Sequence, residues 1–144
     1  MHTASTWLAL RNFDWEAHTD RGRREVDRAV MRRVIDPDAP IDRRASARLE
    51  KLRSRAHRTM LARVLRQNLE LGAKRSPLAP PVARLLARNP GEASLIAAGL
   101  EQGDPDPRAV IETERLLEAP RPSPERLDWI LRLLAPSRAP ACDL

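Results

Sequence analysis

The side chains with the clearest chemical potential in this sequence form a row of cations. Its members follow one another at alternating spacings of four and three residues: Arg44, Arg48, Lys51, Arg55 and Arg58. At about 100° per residue, this spacing places them on one face of a helix, and Arg66 returns to that face two turns later. Guanidinium groups donate paired hydrogen bonds to phosphate or carboxylate oxygens. The row therefore predicts a continuous, solvent-facing stripe that binds a polyanion.

A second row of arginines precedes the first. Arg24, Arg28 and Arg32 recur every four residues, which also places them on one helix face. Rows of charge are commonly no more than solvated surface. In the first row, however, only Asp42 and Glu50 are placed to neutralise the cations. Because so few acids stand near the first row, we interpret that row as a binding surface.

The charge of the whole chain is distributed unevenly. Residues 1–75 carry 18 basic and 10 acidic side chains, whereas residues 76–144 carry 8 and 10, so the net charges are +8 and −2. An asymmetry of this kind indicates a nucleic acid or an acidic protein as the partner.

The sequence lacks the patterns of a catalytic or metal centre. His2, His18 and His57 are each isolated from other histidines and from Cys142, whereas two metal ligands on one helix face lie three or four residues apart. The five glycines are scattered and form no phosphate-binding loop. We therefore expect no cofactor, no metal and no enzymatic activity, and interpret His57 as packed or solvated. The sequence leaves open whether folding brings two carboxylates together as a catalytic pair.

Two helices are predicted in the first half. Asp20–Ile35 has apolar residues at spacings of three and four, and Asp36-Pro37 ends it. Asp42 is a candidate N-cap for one long helix from Arg43 to about Leu71. The apolar face of that segment rotates by roughly a quarter turn along its length. It either packs on two different partners or bends near residues 58–61.

The second half is predicted to contain short helices separated by prolines, with Glu112, Glu114 and Glu118 on solvated faces. The predicted helices are Pro81–Arg88, Gly91–Gln102, Pro107–Glu118 and Pro124–Leu134. No segment alternates as a strand would. The predicted fold is an all-α, compact multi-helix bundle with one long basic helix and a C-terminal set of stacked short helices. Its halves, residues 1–75 and 76–144, pack as one domain.

Two sets of short segments resemble known helical proteins. Val82–Pro90 resembles one turn of a leucine-rich-variant or HEAT-like repeat, without a second copy at a fixed period. Trp7–Leu10, Asp20–Arg24 and Leu127–Trp129 resemble segments of the small helical subunit of CRISPR surveillance complexes. These segments are short and common, so no family is assigned from them.

The apolar runs, the cysteine count and the aromatic residues give further expectations about the compartment and the core. No apolar run approaches the roughly 18 residues that span a bilayer, and the single cysteine favours a reducing, cytoplasmic compartment. Trp7, Phe13 and Trp15 are interpreted as core residues.

Two functions are consistent with these features. We expect a nucleic-acid-associated protein, such as an accessory subunit of a nucleoprotein complex, whose arginines contact phosphates. The alternative is a protein–protein adaptor or regulator whose basic helix docks an acidic partner and whose exposed anchor is Trp7, Trp15 or Trp129. Neither function involves a membrane or a small-molecule substrate.

Overall fold

The computed structural model describes residues 20–135, whose regular structure is entirely helical. No strand occurs among these residues, and the predicted all-α class is confirmed. The predictions for Trp7, Phe13, Trp15, His2, His18 and Cys142 concern residues outside this range. The helices are α1 (Asp20–Ile35), α2 (Arg43–Arg53), α3 (Arg55–Leu71), α4 (Pro80–Arg88), α5 (Pro90–Glu101), α6 (Pro107–Glu118) and α7 (Pro124–Leu134).

Most helix ends lie where the local sequence signals predicted them. The bounds of α1, α6 and α7 are those predicted, and the Asp42 side chain accepts a hydrogen bond from the Ala45 amide at 2.8 Å. Helices α4 and α5 each begin one residue earlier than predicted, at Pro80 and Pro90, and α5 ends at Glu101. Proline suits these positions because the amide hydrogen it lacks has no partner in the first helical turn.

The prediction of one continuous helix from Arg43 to Leu71 is wrong, because Ser54 separates two helices. The backbone of Ser54 is extended, with φ −66° and ψ 124°. Its amide donates to the Lys51 carbonyl at 3.0 Å, and its Oγ accepts from the His57 amide at 3.4 Å. Ser54 therefore ends α2 and caps α3. The rotation of the apolar face reflects this break, which lies four residues before the predicted bend.

One hydrophobic core joins helices from both sides of residue 75. The most extensive contact is between α3 and α5, and α7 packs against both α5 and α6. Each fully buried Leu or Ile contributes roughly 1.5–3 kcal/mol relative to an exposed position. The large, fully buried members include Leu61, Leu65, Leu86, Ile96, Leu100, Ile111, Leu116, Leu127 and Ile130. The division of the chain at residue 75 stays a prediction.

The position of α1 decides which arginines reach the surface. Helix α1 packs against α2 and α6, and Val26 and Val30 enter the core. The opposite face of α1 is exposed. None of the helices within residues 20–135 has the length and apolar character needed to cross a membrane.

Candidate polyanion-binding site

The predicted stripe from Arg44 to Arg58 is not continuous, because two of its five members are buried. Arg48 is 8% exposed and Arg58 is 5% exposed. In α2, Arg48 shares the three-and-four spacing of the buried Ala45 and Leu52, so it points into the protein with them. In α3, Arg58 shares the spacing of the buried Leu61 and Leu65, so it also points into the protein. The prediction that both arginines face solvent is wrong.

Arg48 is the centre of a buried network of charges. Its Nε donates to Asp27 Oδ1 of α1 at 2.9 Å, and its Nη1 donates to Glu114 Oε2 of α6 at 3.2 Å. Its Nη2 donates to the other oxygen of Glu114, so this ion pair is bidentate. Such pairs combine charge with fixed geometry. Arg48 therefore connects α2 with α1 and α6 in addition to their apolar packing.

Glu114 is held in its ionised form although it is buried, so its predicted place on a solvated face is wrong. His57 Nε2 lies 2.7 Å from Glu114 Oε2, an oxygen that also accepts from Arg48. Burial alone would raise the pKa of Glu114. The charge of Arg48 and the hydrogen bonds from His57 and Arg48 outweigh burial and lower this pKa to about 2. His57 is thus packed, one of the two roles predicted for it.

The pKa of Arg48 changes in the opposite direction for the same reason. Burial lowers the pKa of this guanidinium, but the charges and hydrogen bonds of Glu114 and Asp27 exceed that effect and raise it above its ordinary value. Arg48 is therefore charged at neutral pH.

Arg58 has a structural contact of a different kind. Its Nη1 donates to the carbonyls of Leu100 at 2.7 Å and Gln102 at 3.2 Å, at the end of α5. The last carbonyls of a helix lack partners within the helix, and a cation is favourable at this end of the helix dipole. Arg58 is thus occupied in holding α3 to α5.

The remaining members of the predicted stripe lie at or near the surface. Arg44 and Arg55 are exposed, whereas Lys51 and Arg66 are half-buried. Arg66 Nη1 lies 2.5 Å from Glu101 Oε1. What remains of the stripe is therefore interrupted and partly neutralised.

The α1 row, defined as Arg24, Arg28 and Arg32, lies on one face of the helix, as its spacing predicted. All three side chains are exposed on one face of the helix. Among the described side chains, none of the three has an ion-pair partner. Several other surface arginines are paired with acids, as in Arg21–Glu25 at 3.2 Å and Arg108–Asp106 at 2.6 Å. The α1 row thus offers three adjacent guanidinium groups to an anion.

Three buried acids, Asp27, Glu112 and Glu114, were missed in the sequence, so the predicted solvated position of Glu112 is also wrong. For Glu114 the sequence does contain a signal. Glu114 stands four residues after Val110 and three before Leu117, which is the spacing of the buried face of α6. A charged residue at a buried spacing requires an opposite charge, and Arg48 stands at the corresponding spacing in α2. The sequence does not reveal that these two positions meet.

The described residues contain no arrangement suited to a metal. Within residues 20–135, no group of three or more His, Cys, Asp or Glu side chains could hold an ion. Asp27, Glu114 and His57 are instead engaged with Arg48 or with each other. The exposed cations of the α1 row are placed where they can attract an anion.

Comparison with known proteins adds no family to this description. Neither models of protein families, nor curated proteins, nor solved structures give a match to the chain.

Proposed function

We propose that this protein binds the phosphate backbone of a nucleic acid through the α1 row, as an accessory component of a nucleoprotein complex. The observation that supports this most directly is the exposure of Arg24, Arg28 and Arg32 on one face without ion pairs to other described side chains. A chain of net charge +6 attracts a polyanion over a longer range as well.

The row has dimensions that suit an extended ligand. Arg24 and Arg32 are eight residues apart, so they span about 12 Å along the helix at 1.5 Å per residue. Arginine is suited to phosphate because its planar group donates two parallel hydrogen bonds. Contacts of this type position a protein on the backbone and carry no sequence information. We therefore expect binding that is insensitive to sequence and sensitive to salt.

The test is fluorescence anisotropy with a labelled DNA duplex across a salt series. A triple variant, Arg24→Gln with Arg28→Gln and Arg32→Gln, should weaken binding and reduce the slope of log affinity against log salt. The expected reduction is about 0.9 for each phosphate that the variant no longer neutralises.

The matched control changes three exposed arginines of the second half, Arg84, Arg88 and Arg121, to Gln. Both triple variants lower the net charge by the same amount, so they differ only in where the charge is removed. Equal affinities of the two variants, or no binding by the unmodified protein at low salt, would contradict the proposal. Single-stranded RNA in the same series identifies the preferred nucleic acid.

A second function is supported by a different surface. Trp129 in α7 is 44% exposed, and the Arg132 guanidinium lies 5.6 Å from the centre of its ring. Exposed tryptophans beside arginines are frequent in the energetic centres of protein interfaces. In this alternative the protein is an adaptor for an acidic protein. Trp129→Ala would then abolish binding to that partner, and the unmodified protein would have no affinity for free polynucleotide.

A further inference from the structure

The α1 row ends beside an exposed apolar side chain. Ile35 is the last residue of α1. It is 69% exposed, more than any other large apolar residue within residues 20–135. A single exposed isoleucine needs no explanation by itself. Its position relative to the row is therefore what carries information.

Ile35 continues the line of the row along α1. It stands seven residues after Arg28, which places the two side chains within about 20° of each other around the helix axis and about 10 Å apart along it. Arg32 precedes Ile35 by three residues, so these two are neighbours on the helix surface. The Asp36 amide still donates to the Arg32 carbonyl at 2.9 Å, so the helical geometry extends through Ile35. A ligand that lies along the row thus meets Ile35 as its next contact.

Met31 widens the apolar surface at this end of the row. It precedes Ile35 by four residues, so the two side chains are adjacent. Met31 is half-buried and packs against the core, which fixes its position. Its thioether sulfur makes favourable contacts with aromatic rings. Met31 and Ile35 together are called the apolar end of the row.

The chain that follows the apolar end is acidic, which limits what this end can bind. Asp36 and Asp38 are both exposed, and Asp36 Oδ1 accepts a hydrogen bond from the Asp38 amide at 3.0 Å. Two carboxylates repel a further phosphate at this point. The apolar end therefore suits an uncharged group that belongs to a ligand whose phosphates lie on the row.

A nucleobase is an uncharged group of this kind. Its flat face packs against apolar and aromatic side chains whatever the identity of the base. In a duplex these faces are hidden within the stack, and only the base edges reach the grooves. In a single strand the bases can turn outward and expose their faces. A row of arginines that ends in an apolar surface thus favours a single strand over a duplex.

We propose that the ligand of the α1 row is a single-stranded nucleic acid, one base of which packs on Ile35 and Met31 while its phosphates bind the three arginines. This inference rests on the proposed function and names the class of nucleic acid that the row binds. Neither Ile35 nor Met31 has a strong hydrogen-bonding group, so this contact does not select one base over another.

The first test compares an oligothymidine strand with an abasic strand of the same length, which keeps the phosphates and lacks the bases. Ile35→Ala should weaken binding to oligothymidine about three- to tenfold, the effect expected when an isoleucine loses part of its apolar contact. Its affinity for the abasic strand and for a DNA duplex should stay unchanged. Leu95→Ala is the matched control, because Leu95 is 62% exposed and belongs to α5. It should change none of these affinities.

A second variant enlarges the contact instead of removing it. Ile35→Trp should strengthen binding to oligothymidine about three- to tenfold, because a base stacks well on an aromatic ring. A merely structural role of Ile35 would not produce such a gain. Leu95→Trp is the control and should bind as the unmodified protein does. Circular dichroism and thermal unfolding establish that each variant is folded.

The measurement is fluorescence anisotropy with each labelled ligand at about 50 mM salt. The base contact is supported if Ile35→Ala binds oligothymidine more weakly than Leu95→Ala does and Ile35→Trp binds it more tightly than Leu95→Trp does. It is overturned if the members of either pair bind oligothymidine equally, or if Ile35→Ala loses as much affinity for the abasic strand.

The proposed function has a separate outcome in the same experiment. It survives the loss of the base contact if the triple variant of the α1 row still binds the abasic strand or the duplex more weakly than its control does. If the unmodified protein binds none of the three ligands at low salt, the proposed function and the base contact both fail, which is the result expected of an adaptor for proteins.

Discussion

Arg48 and Glu114 form a bidentate ion pair across the interior, between α2 and α6, 66 residues apart in the chain. Asp27 and His57 complete the contacts of this pair. A substitution at Arg48 therefore acts on stability before it acts on binding. Reversing its charge would place a third carboxylate against Asp27 and Glu114, so Arg48 is unsuited to a test of nucleic-acid binding.

Replacing Arg48 by methionine should strongly destabilise the protein. Arg48→Met leaves two buried carboxylates without their cation, and breaking a buried ion pair in this way costs about 3–5 kcal/mol. The measurement is the free energy of unfolding from denaturant titration. Arg53→Met, at an exposed position in the same helix, should stay within about 0.5 kcal/mol. If Arg48→Met lowered the free energy of unfolding as little as Arg53→Met, the network would contribute little to stability.

The ion pair of Glu114 should make the protein sensitive to acid. The pKa of Glu114 is lowered from 4.5 to about 2, so its contribution is complete above pH 4.5 and is lost as the pH falls towards 2. At 1.36 kcal/mol per unit, the contribution is about 3 kcal/mol.

Denaturant titrations at several pH values between 7 and 2 test this expectation, with Glu114→Gln as the comparison. The variant cannot titrate at this position, so its free energy of unfolding should fall less steeply below pH 4.5. Parallel pH profiles for the two proteins would mean that Glu114 is not the group responsible.

Ser54 should contribute to stability through its cap on α3. Ser54→Ala removes the acceptor for the His57 amide and should lower the free energy of unfolding by about 0.5–1 kcal/mol. Ser46 is an exposed serine inside α2, and Ser46→Ala should be neutral or slightly stabilising. Thermal or denaturant unfolding distinguishes the two, and identical values would argue against a capping role.

The close approach of α5 and α7 should depend on Gly99. A Cβ atom at Gly99 would lie 3.0 Å from Leu134 Cδ1 and 3.3 Å from Leu134 Cβ. Gly99→Leu should therefore overfill this contact and destabilise the protein by about 1–3 kcal/mol.

Gly91 in the same helix is the matched control, because a Cβ there would meet no atom within 4 Å. Gly91→Leu should change the free energy of unfolding by less than about 1 kcal/mol, since leucine favours the helix more than glycine does. If Gly99→Leu is tolerated equally well, the contact with Leu134 can relax without cost.

The sequence by itself determined the all-α class and most helix bounds. Asp42, Asp36-Pro37 and the first-turn prolines act within a few residues of where they stand, so their effect can be inferred locally. The placement of the α1 row on a face away from Val26 and Val30 was predicted for the same reason, because it depends only on spacing within one helix.

Only the tertiary structure decided where α2 ends and which charges are buried. A serine is tolerated within a helix, because intrinsic preferences differ by only tenths of a kcal/mol, so the residue type at position 54 does not by itself predict the break. Arg48 is buried because Asp27 and Glu114, 21 and 66 residues away, supply the opposite charges. Burial of a charge depends on partners that the chain brings together only when it folds, and spacing along one helix carries no information about them.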